Sequence, residues 1–504
     1  MKKILLSIYL FSITLLSAEA GIIYVDYSAT GNNSGTSWTN AFNSLTTALA
    51  APHALKDTFW VAAGTYKPVN ANAPFLIEKA ERLFGGFSGT ETSLSQRDVY
   101  NNITILTGDL QGNDNGDPHN GTQANSTYSE NAKTIIEIAP ATIAAHGAEV
   151  IIDGFTITSA HDAVNSSSAI NVGNFSLQYL TISNCILENN YANTYSVLQF
   201  YSAKNAGKLK FHNNIVRNNY TNSGYAIEYR VVYSGSLHLT SEFVNNIFDG
   251  NVVTQSGNDG SCIRFTTVTT GSSITARLVN NTFVNNVEGA SGSPINYERT
   301  SHTSDILLHL SNNIYYQNVN GIYPALVHGN QGGSGIINSG SRNNLVESQN
   351  YQYQSMGGTY QTSVSPFMDF TNGDYRPISA YRTNGLRALY AQTYPTVDVY
   401  GNPRISGNAI GLGAVRYMPT TTSLSELNQT ETVTLYPNPA QSHLNVRGVE
   451  LNNSTYQIKD LNGKVCQTGS LDLNGISVAN LESGLYFIQI NHAGNWINQR
   501  FVKQ

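Results

Sequence analysis

A four-residue phrase returns through the middle of the chain about every 31 residues. Two polar residues come first, then an aliphatic residue, then an aliphatic or aromatic one. A period of this kind is typical of stacked repeats, because each repeat buries its apolar residues only against its neighbours. The regular leucines of a leucine-rich repeat and the 3.6-residue period of a helical repeat are both absent. The strong copies begin at Asn213, Asn245, Asn280, Asn312 and Asn343, and weaker copies begin at Asn184 and Asp153.

A second set of residues repeats with the same period but out of step with the first, as in Ile227-Glu228-Tyr229 and Ile263-Arg264-Phe265. Both sets suit a coil of parallel strands with one turn per repeat, in which stacked Asn amides bond along the stack. The Asn residues are therefore interpreted as structural. Counting four early strands and seven copies of the phrase predicts about 11 turns, a rod of roughly 50 Å. The early strands lie at Phe59 to Ala62, Leu83 to Phe87, Ile103 to Leu106 and Thr134 to Ile138.

The two ends of the coil need covering, since an open end exposes unpaired backbone and core. Within residues 21–58, four apolar residues at helical spacing predict an amphipathic capping helix. They are Trp38, Phe42, Leu45 and Leu49.

Residues 1–20 have the pattern of a secretory signal peptide: two lysines, an apolar run, and Ala18-Glu19-Ala20 as a cleavage site. No other segment approaches twenty apolar residues, so we expect no transmembrane segment in the mature protein. A net charge of -6 with 12% charged residues argues against a nucleic-acid partner. Cys185 and Cys262 fall at repeat positions, where a small buried residue is expected.

From residue 433 to 504 the pattern changes to short alternating strands joined by an Asn462-Gly463 hairpin, which predicts a small antiparallel β-sandwich. Residues 418–432 form the predicted linker. Tyr436-Pro437-Asn438-Pro439, the hairpin and the Gly484-Leu485-Tyr486 strand resemble the type A C-terminal sorting domain of type IX secretion in Bacteroidota. That resemblance implies export by this machinery, removal of the domain, and attachment to surface lipopolysaccharide or release.

The region before the linker resembles secreted right-handed parallel β-helix proteins of the pectin-lyase-like group. The motifs that carry this resemblance are Gly31 to Trp38, Trp60 to Tyr66, Gly85 to Thr92 and Ile105 to Leu110. Residues 366–417 resemble the choice-of-anchor Q closing segment, through Asp374-Tyr375-Arg376-Pro377 and Tyr400-Gly401-Asn402-Pro403-Arg404. The resemblance implies a right-handed β-helix over 21–417. Because the fold relatives include pectate lyases, polygalacturonases and adhesins, it does not decide the activity.

Side chains that point outward on the second repeat form the candidate binding surface, since alternate residues of a strand face opposite sides. Amides, an aromatic ring and arginines in two rows suit polysaccharide hydroxyls and acidic sugars. The competing interpretation is a row of cross-strand ion pairs of little energetic weight. The candidates are Gln199, Tyr201, Glu228, Arg230, Arg264, Asn296 and Glu298.

An oxygen-rich loop with Asp109, Asp114 and Asp117 has the chemistry of a calcium site, although turn formation explains the same residues. No other cofactor is predicted, because the histidines lack metal-ligand spacing. They are His119, His146, His161, His212, His309 and His328.

Three functions fit these patterns. The leading hypothesis is a non-enzymatic surface or secreted protein that binds an environmental or host glycan, or mediates adhesion. The alternative is a polysaccharide lyase or glycoside hydrolase, and the third is a structural surface-layer role. No catalytic residue is assigned, because the outward rows carry only Glu228 and Glu298, two turns and therefore about 10 Å apart.

Overall fold

A computed structural model describes most of the chain, and the predicted signal peptide and linker lie outside the described residues. Those residues are 21–54, 56–114, 126–139, 149–163, 167–175, 179–202, 207–232, 237–254, 262–287, 293–299, 304–318, 327–329, 337–338, 340–347, 360–381, 384–385, 394–405, 410–416, 434–447, 454–460, 464–471, 475–492 and 495–504. The chain divides into two compact units, residues 1–417 and 418–504.

The first unit is a solenoid of parallel strands, in which each turn contributes one strand to each of three sheets. Sheet A contains Ile22–Val25, Thr58–Ala62, Arg82–Phe87, Glu149–Asp153, Tyr179–Ser183, Lys208–His212, His238–Val244, Ser273–Val279 and Asp305–Ser311. Sheet B contains Gly64–Tyr66, Thr104–Thr107, Phe155–Thr158, Ile186–Glu188, Ile215–Arg217, Ile247–Asp249, Thr282–Val284, Ile314–Tyr316, Leu345–Glu347 and Tyr360–Thr362. Sheet C contains Phe75–Ile77, Ile136–Ile138, Ile170–Phe175, Leu198–Ser202, Ile227–Val231, Ile263–Thr267, Ile295–Arg299 and Val327–Gly329.

A fourth, short sheet lies between sheets B and C and contains His161–Asp162, Tyr191–Ala192, Tyr220–Thr221 and Val252–Val253. Single 3-10 turns occur at Leu94–Gln96, Ser126–Tyr128, Phe370–Asn372 and Ser379–Tyr381. The predicted all-β parallel coil is therefore confirmed.

The predicted count of 11 turns is too high, because the eight described strands of sheet C correspond to about eight complete turns. The error comes from the early strands, each of which was taken as a separate turn. Arg82–Phe87 belongs to sheet A, Thr104–Thr107 to sheet B and Ile136–Ile138 to sheet C, so the three are successive faces of one turn. The weak copy of the phrase also shifts by one residue, because Asp153 pairs with Ser183 rather than with Asn184.

The Asn-Asn pair of each phrase makes the corner between sheets A and B. Its first residue adopts a left-handed backbone, with φ of 55° at Asn213 and 57° at Asn280. Asn tolerates this conformation better than most residues with a side chain. The second residue is buried, and its amide bonds to the next turn: Asn246 Nδ2 donates to Asn281 Oδ1 over 2.9 Å and to the Phe211 carbonyl over 2.8 Å. The predicted amide ladder is confirmed along Asn214, Asn246, Asn281, Asn313 and Asn344.

A second amide ladder, which the sequence analysis missed, forms the next corner, between sheet B and the short sheet. Asn219 Nδ2 donates to Asn251 Oδ1 over 3.0 Å and to the Leu187 carbonyl over 2.8 Å. The residue before each rung is again left-handed, and Gly250 takes the place that Asn218 has one turn earlier. The buried rungs are Asn190, Asn219, Asn251, Asn286 and Asn318.

Aliphatic and aromatic side chains fill the interior of the solenoid in one continuous core. Sheet B contributes a stack of rings in which Phe283 lies 4.8 Å from both Phe248 and Tyr315, with interplanar angles of 5° and 3°. Cys185 and Cys262 are buried in this core, as expected for small apolar residues.

A short helix covers the N-terminal end, but it is shorter than predicted. It spans Leu45–Ala50, its cap is Ser44, and Leu45 and Leu49 enter the core. Trp38 and Phe42 lie outside the helix. Trp38 packs against aromatic side chains of sheet A and donates from Nε1 to the Glu91 carbonyl over 2.8 Å. Phe42 forms a parallel bridge with Val25, because strand-like pairing continues until Ser44 allows the helix to start.

The closing segment lies along the outer face of sheet B. That face is apolar, with Ile247, Ile314 and Leu345 in one buried cluster with Val399 and Leu412. The left-handed Asn residues also bond to this segment: Asn280 Nδ2 donates to the Gly411 carbonyl over 2.6 Å, and Asn213 and Asn245 donate to the Val397 carbonyl over 3.3 Å each. Within the segment, strands Phe367–Asp369 and Asp374–Pro377 pair antiparallel. Arg404, which is 1% exposed, donates to the Gly411 carbonyl over 2.9 Å.

The second unit contains two antiparallel sheets around its own core, as predicted. One sheet has strands Thr434–Tyr436, His443–Arg447 and Ile476–Ser477. The other has Val465–Ser470, Ser454–Lys459, Gly484–His492 and Asn495–Lys503 in that spatial order. The predicted hairpin residues Asn462-Gly463 lie outside the described residues, but the strands on either side pair antiparallel.

Replacing a buried rung is expected to destabilise the solenoid strongly. Asn219→Ala removes the side-chain bonds to Asn251 and to the Leu187 carbonyl, and both the backbone N–H and the side-chain amide of Asn190 lose their acceptor. Since each orphaned buried polar group costs about 1–3 kcal/mol, unfolding free energy should fall by about 3 kcal/mol or more. The matched control Asn218→Gly should change it by less than about 1 kcal/mol, because glycine adopts the required backbone freely. Chemical denaturation of both variants measures the difference, and equal losses would contradict the ladder argument.

Removing the closing segment is expected to expose the apolar face of sheet B. A chain ending at residue 365 should aggregate, because Ile247, Ile314 and Leu345 lose their covering layer. A chain ending at 417 keeps that layer and should stay monomeric with an unchanged thermal midpoint. Light scattering and calorimetry compare the two, and a soluble, monomeric 365-residue chain would refute the covering role.

Candidate functional site

The strands of sheet C place the predicted candidates in two rows across neighbouring turns. In the first row Gln199 pairs with Glu228, Glu228 with Arg264, and Arg264 with Asn296. In the second row Tyr201 pairs with Arg230, Arg230 with Thr266, and Thr266 with Glu298. Neighbouring residues of these strands, such as Leu198, Phe200 and Ile227, fill the core, so alternation directs the two rows away from it.

Burial divides these candidates into two groups. Gln199, Glu228 and Asn296 are only 1%, 6% and 2% exposed. The side chains of Arg230 and Arg264 retain 33% and 24% exposure. Pointing away from the core therefore does not make a side chain accessible, and only part of the predicted surface can meet a large partner directly.

Each of the two arginines lies near a candidate carboxylate. Arg264 bonds to Glu298, not to Glu228 as strand pairing alone suggests, while Arg230 Nη1 lies 3.7 Å from Glu228 Oε1. Each guanidinium also sits over a tyrosine ring: Arg230 lies 5.4 Å from the Tyr201 ring and Arg264 lies 4.9 Å from the Tyr225 ring. We name Tyr201, Arg230, Arg264 and Glu298 the arginine strip. Its chemistry combines fixed guanidinium forks with aromatic faces.

Burial and neighbouring groups shift the pKa of Tyr201 and that of Arg264. Burial, followed by the nearby Glu228 carboxylate, raises the pKa of Tyr201 to about 12, so this phenol is neutral at physiological pH. Burial alone lowers the pKa of Arg264, but Tyr225, Glu298 and Glu228 raise it further than burial lowers it. Neither of these two groups is therefore a base poised near neutral pH.

The acidic loop brings together two of its three predicted ligands. Asp109 and Asp114 lie close together, whereas Asp117 lies outside the described residues. Glu130, which sequence spacing did not reveal, joins them: ligand atoms of the three carboxylates all lie within 4.8 Å of one another. Burial and the two neighbouring carboxylates raise the pKa of Asp114. The Asp109 carboxylate also accepts from the backbone of Gly112 over 2.5 Å, which is the turn role considered as the alternative.

This acidic group borders a polar cleft of about 620 Å³, beside the corner between sheet B and the short sheet. Next to it, His161 stacks between Tyr128 and Tyr191, with ring centroids 5.3 and 5.0 Å away. The residues that line the cleft are Asp109, Asp114, Tyr128, Ser159, Asn189, Asn218 and Tyr220.

His161, His212 and His309 have environments that favour the neutral form. Burial lowers the pKa of His161 and of His309, and burial together with Lys210 and Lys208 lowers that of His212 to about 3. Among the described residues, no cluster of potential metal ligands includes a histidine. His119, His146 and the side chain of His328 lie outside the described residues.

Comparison with known families identifies the second unit. Residues 434–504 match the secretion system C-terminal sorting domain. The protein is exported by type IX secretion. This system delivers the protein to the cell surface or beyond, as the resemblance of its C-terminal domain implied. The antiparallel sheets built on Leu444, Ile458 and Phe501 are thus the sorting domain of a secreted β-solenoid.

No curated protein matches the chain. In the part of the chain that the structure describes, no helix is long and apolar enough to cross a membrane.

Export is expected to require the second unit. A chain ending at residue 433 should accumulate in the periplasm, because it lacks the matched sorting domain. The control Cys466→Ser replaces one exposed side chain of that domain and should be exported normally. Immunoblots of periplasm, surface and medium follow both chains, and surface delivery of the truncated one would show that another signal suffices.

Proposed function

We propose that the exported solenoid is a non-enzymatic glycan-binding protein that holds an acidic polysaccharide along the arginine strip and thereby mediates adhesion. The observation that carries the proposal is the pair of part-exposed guanidinium groups on neighbouring turns, each over a tyrosine ring. Guanidinium forks match carboxylates in geometry, and the tyrosine rings beneath them help to hold the forks in place.

The buried candidates support the exposed ones. Gln199 donates to the hydroxyl of Tyr201, and Glu228 lies beside Arg230, so both fix the orientation of a strip residue. Such a fixed surface loses little conformational entropy when a polymer binds. Surface lipopolysaccharide is the proposed anchor after the sorting domain is removed, and the glycan belongs to the environment or to a host.

Catalysis by a lyase or hydrolase is the alternative. A lyase needs a base able to take a proton near neutral pH, and a hydrolase needs two available carboxyl groups. Tyr201 has a pKa of about 12, while Glu298 is bonded to Arg264 and Glu228 lies beside Arg230. These features favour binding over chemistry.

Glycan retention tests the proposal. The full-length exported protein should be retained on immobilised polygalacturonate or alginate more than on neutral xylan, and added salt should weaken retention by screening. In Arg230→Gln/Arg264→Gln, affinity should fall at least about tenfold, equivalent to about 1.4 kcal/mol. The matched control is Arg82→Gln/Arg217→Gln, which removes two ion-paired arginines of comparable exposure from sheets A and B and should retain binding.

Each of the other possible outcomes would contradict one part of this proposal. Equal loss in both double variants would refute the location on sheet C. Unsaturated uronates or new reducing ends would refute the non-enzymatic assignment. Absence of retention on every glycan would refute glycan binding and favour a structural surface-layer role.

A further inference from the structure

The acidic group beside the polar cleft brings three carboxylates together. Asp109, Asp114 and Glu130 present oxygens within 4.8 Å of one another. Among the described ion pairs, none joins these carboxylates to a lysine, arginine or histidine. Carboxylates this close repel one another strongly unless a proton or cation lies between them.

Hydrogen-bond acceptors without donors give an independent indication of what is missing. Asp114 Oδ1, Glu130 Oε2 and Asn131 Oδ1 are all buried and have no hydrogen-bond partner. All three atoms accept hydrogen bonds, and none donates. Buried polar atoms are almost always satisfied, so three orphaned acceptors on neighbouring residues indicate an absent positive ligand.

Asn131 is the decisive residue because its side chain is fully enclosed and its orientation is fixed. The residue is 2% exposed, and its Nδ2 donates to Asp114 Oδ2 and to the Ser159 carbonyl, over 2.9 Å each. Both partners accept only, so rotating the amide would bring oxygen against oxygen. The amide therefore lies against the Asp114 carboxylate with its own oxygen orphaned beside the cluster.

Turn formation accounts for only one member of the group. Asp109 accepts from the backbone of Gly112, Asn113 and Asp114, and this suffices to explain its presence. It leaves Asp114 Oδ1 and Glu130 Oε2 unexplained, because neither atom caps a turn.

We propose that Asp109, Asp114, Glu130 and the Asn131 side-chain oxygen bind one Ca²⁺ ion at the edge of the cleft. Three carboxylates and an amide oxygen form the all-oxygen ligand set that calcium prefers, and waters from the cleft complete its shell of six to eight oxygens. The ion joins segment 109–114 to segment 126–131, and Asn131 links both to Ser159 on the next turn. Calcium is thus a stabilising ligand of the exported form.

Calorimetric titration of the metal-stripped full-length protein with CaCl2 tests the site, alongside thermal unfolding with and without calcium. The expected result is one ion per chain and a higher midpoint in calcium than in an equal concentration of MgCl2. Asp114→Asn and Glu130→Gln should each weaken calcium binding at least tenfold. The control Asp98→Asn, which alters an exposed carboxylate with only a turn role, should bind as the parent does.

Measuring stability without calcium distinguishes a calcium-binding role of these side chains from a purely structural one. Relief of like-charge repulsion predicts that metal-stripped Asp114→Asn is at least as stable as the metal-stripped parent. A variant destabilised equally with and without calcium would overturn the proposal, as would absence of calcium heat in the folded parent. Equal binding and stabilisation by magnesium would overturn the assignment to calcium.

Discussion

The solenoid depends on buried asparagine amides that have no water to bond to and must bond to the next turn. Asn246 and Asn281 illustrate the constraint: each is fully buried, and each uses its amide nitrogen for one bond along the stack and one to a backbone carbonyl. A turn that slips by one residue would leave both groups unsatisfied. The ladders therefore hold the register of all three sheets, and sheet C inherits its alignment from them.

The same constraint explains why the fold could be predicted from the sequence. A left-handed corner followed by a buried amide demands nearly the same two residues at every turn, and so produces a visible period. The second corner was missed because its first position accepts different residue types: Asn218 occupies it in one turn and Gly250 in the next. The early turns were miscounted because the Asn-Asn pair between Phe59 and Ile138, Asn101-Asn102, does not adopt the left-handed backbone of the later corners.

The site was predicted less completely, because a repeat pattern shows which way a side chain points but not whether it is exposed to solvent. Alternation placed Gln199, Glu228 and Asn296 away from the core, but what covers them is fixed by tertiary structure that the period does not contain. Likewise, Glu130 joins Asp109 and Asp114 only because a corner brings distant segments together. Strand pairing alone suggests that Arg264 pairs with Glu228. In the structure Arg264 bonds to Glu298 instead, because a long side chain can reach past the residue directly opposite it.

The closing segment also orders events in time. Its bonds reach from Val397 back to Asn213 and Asn245, so the outer layer joins residues separated by as many as 184 positions. Turns of the coil can form as soon as neighbouring turns exist, but this layer can pack only after the turns that it covers have formed. Until then the apolar outer face of sheet B lacks its cover. The covering layer is therefore expected to be the last part of the solenoid to fold.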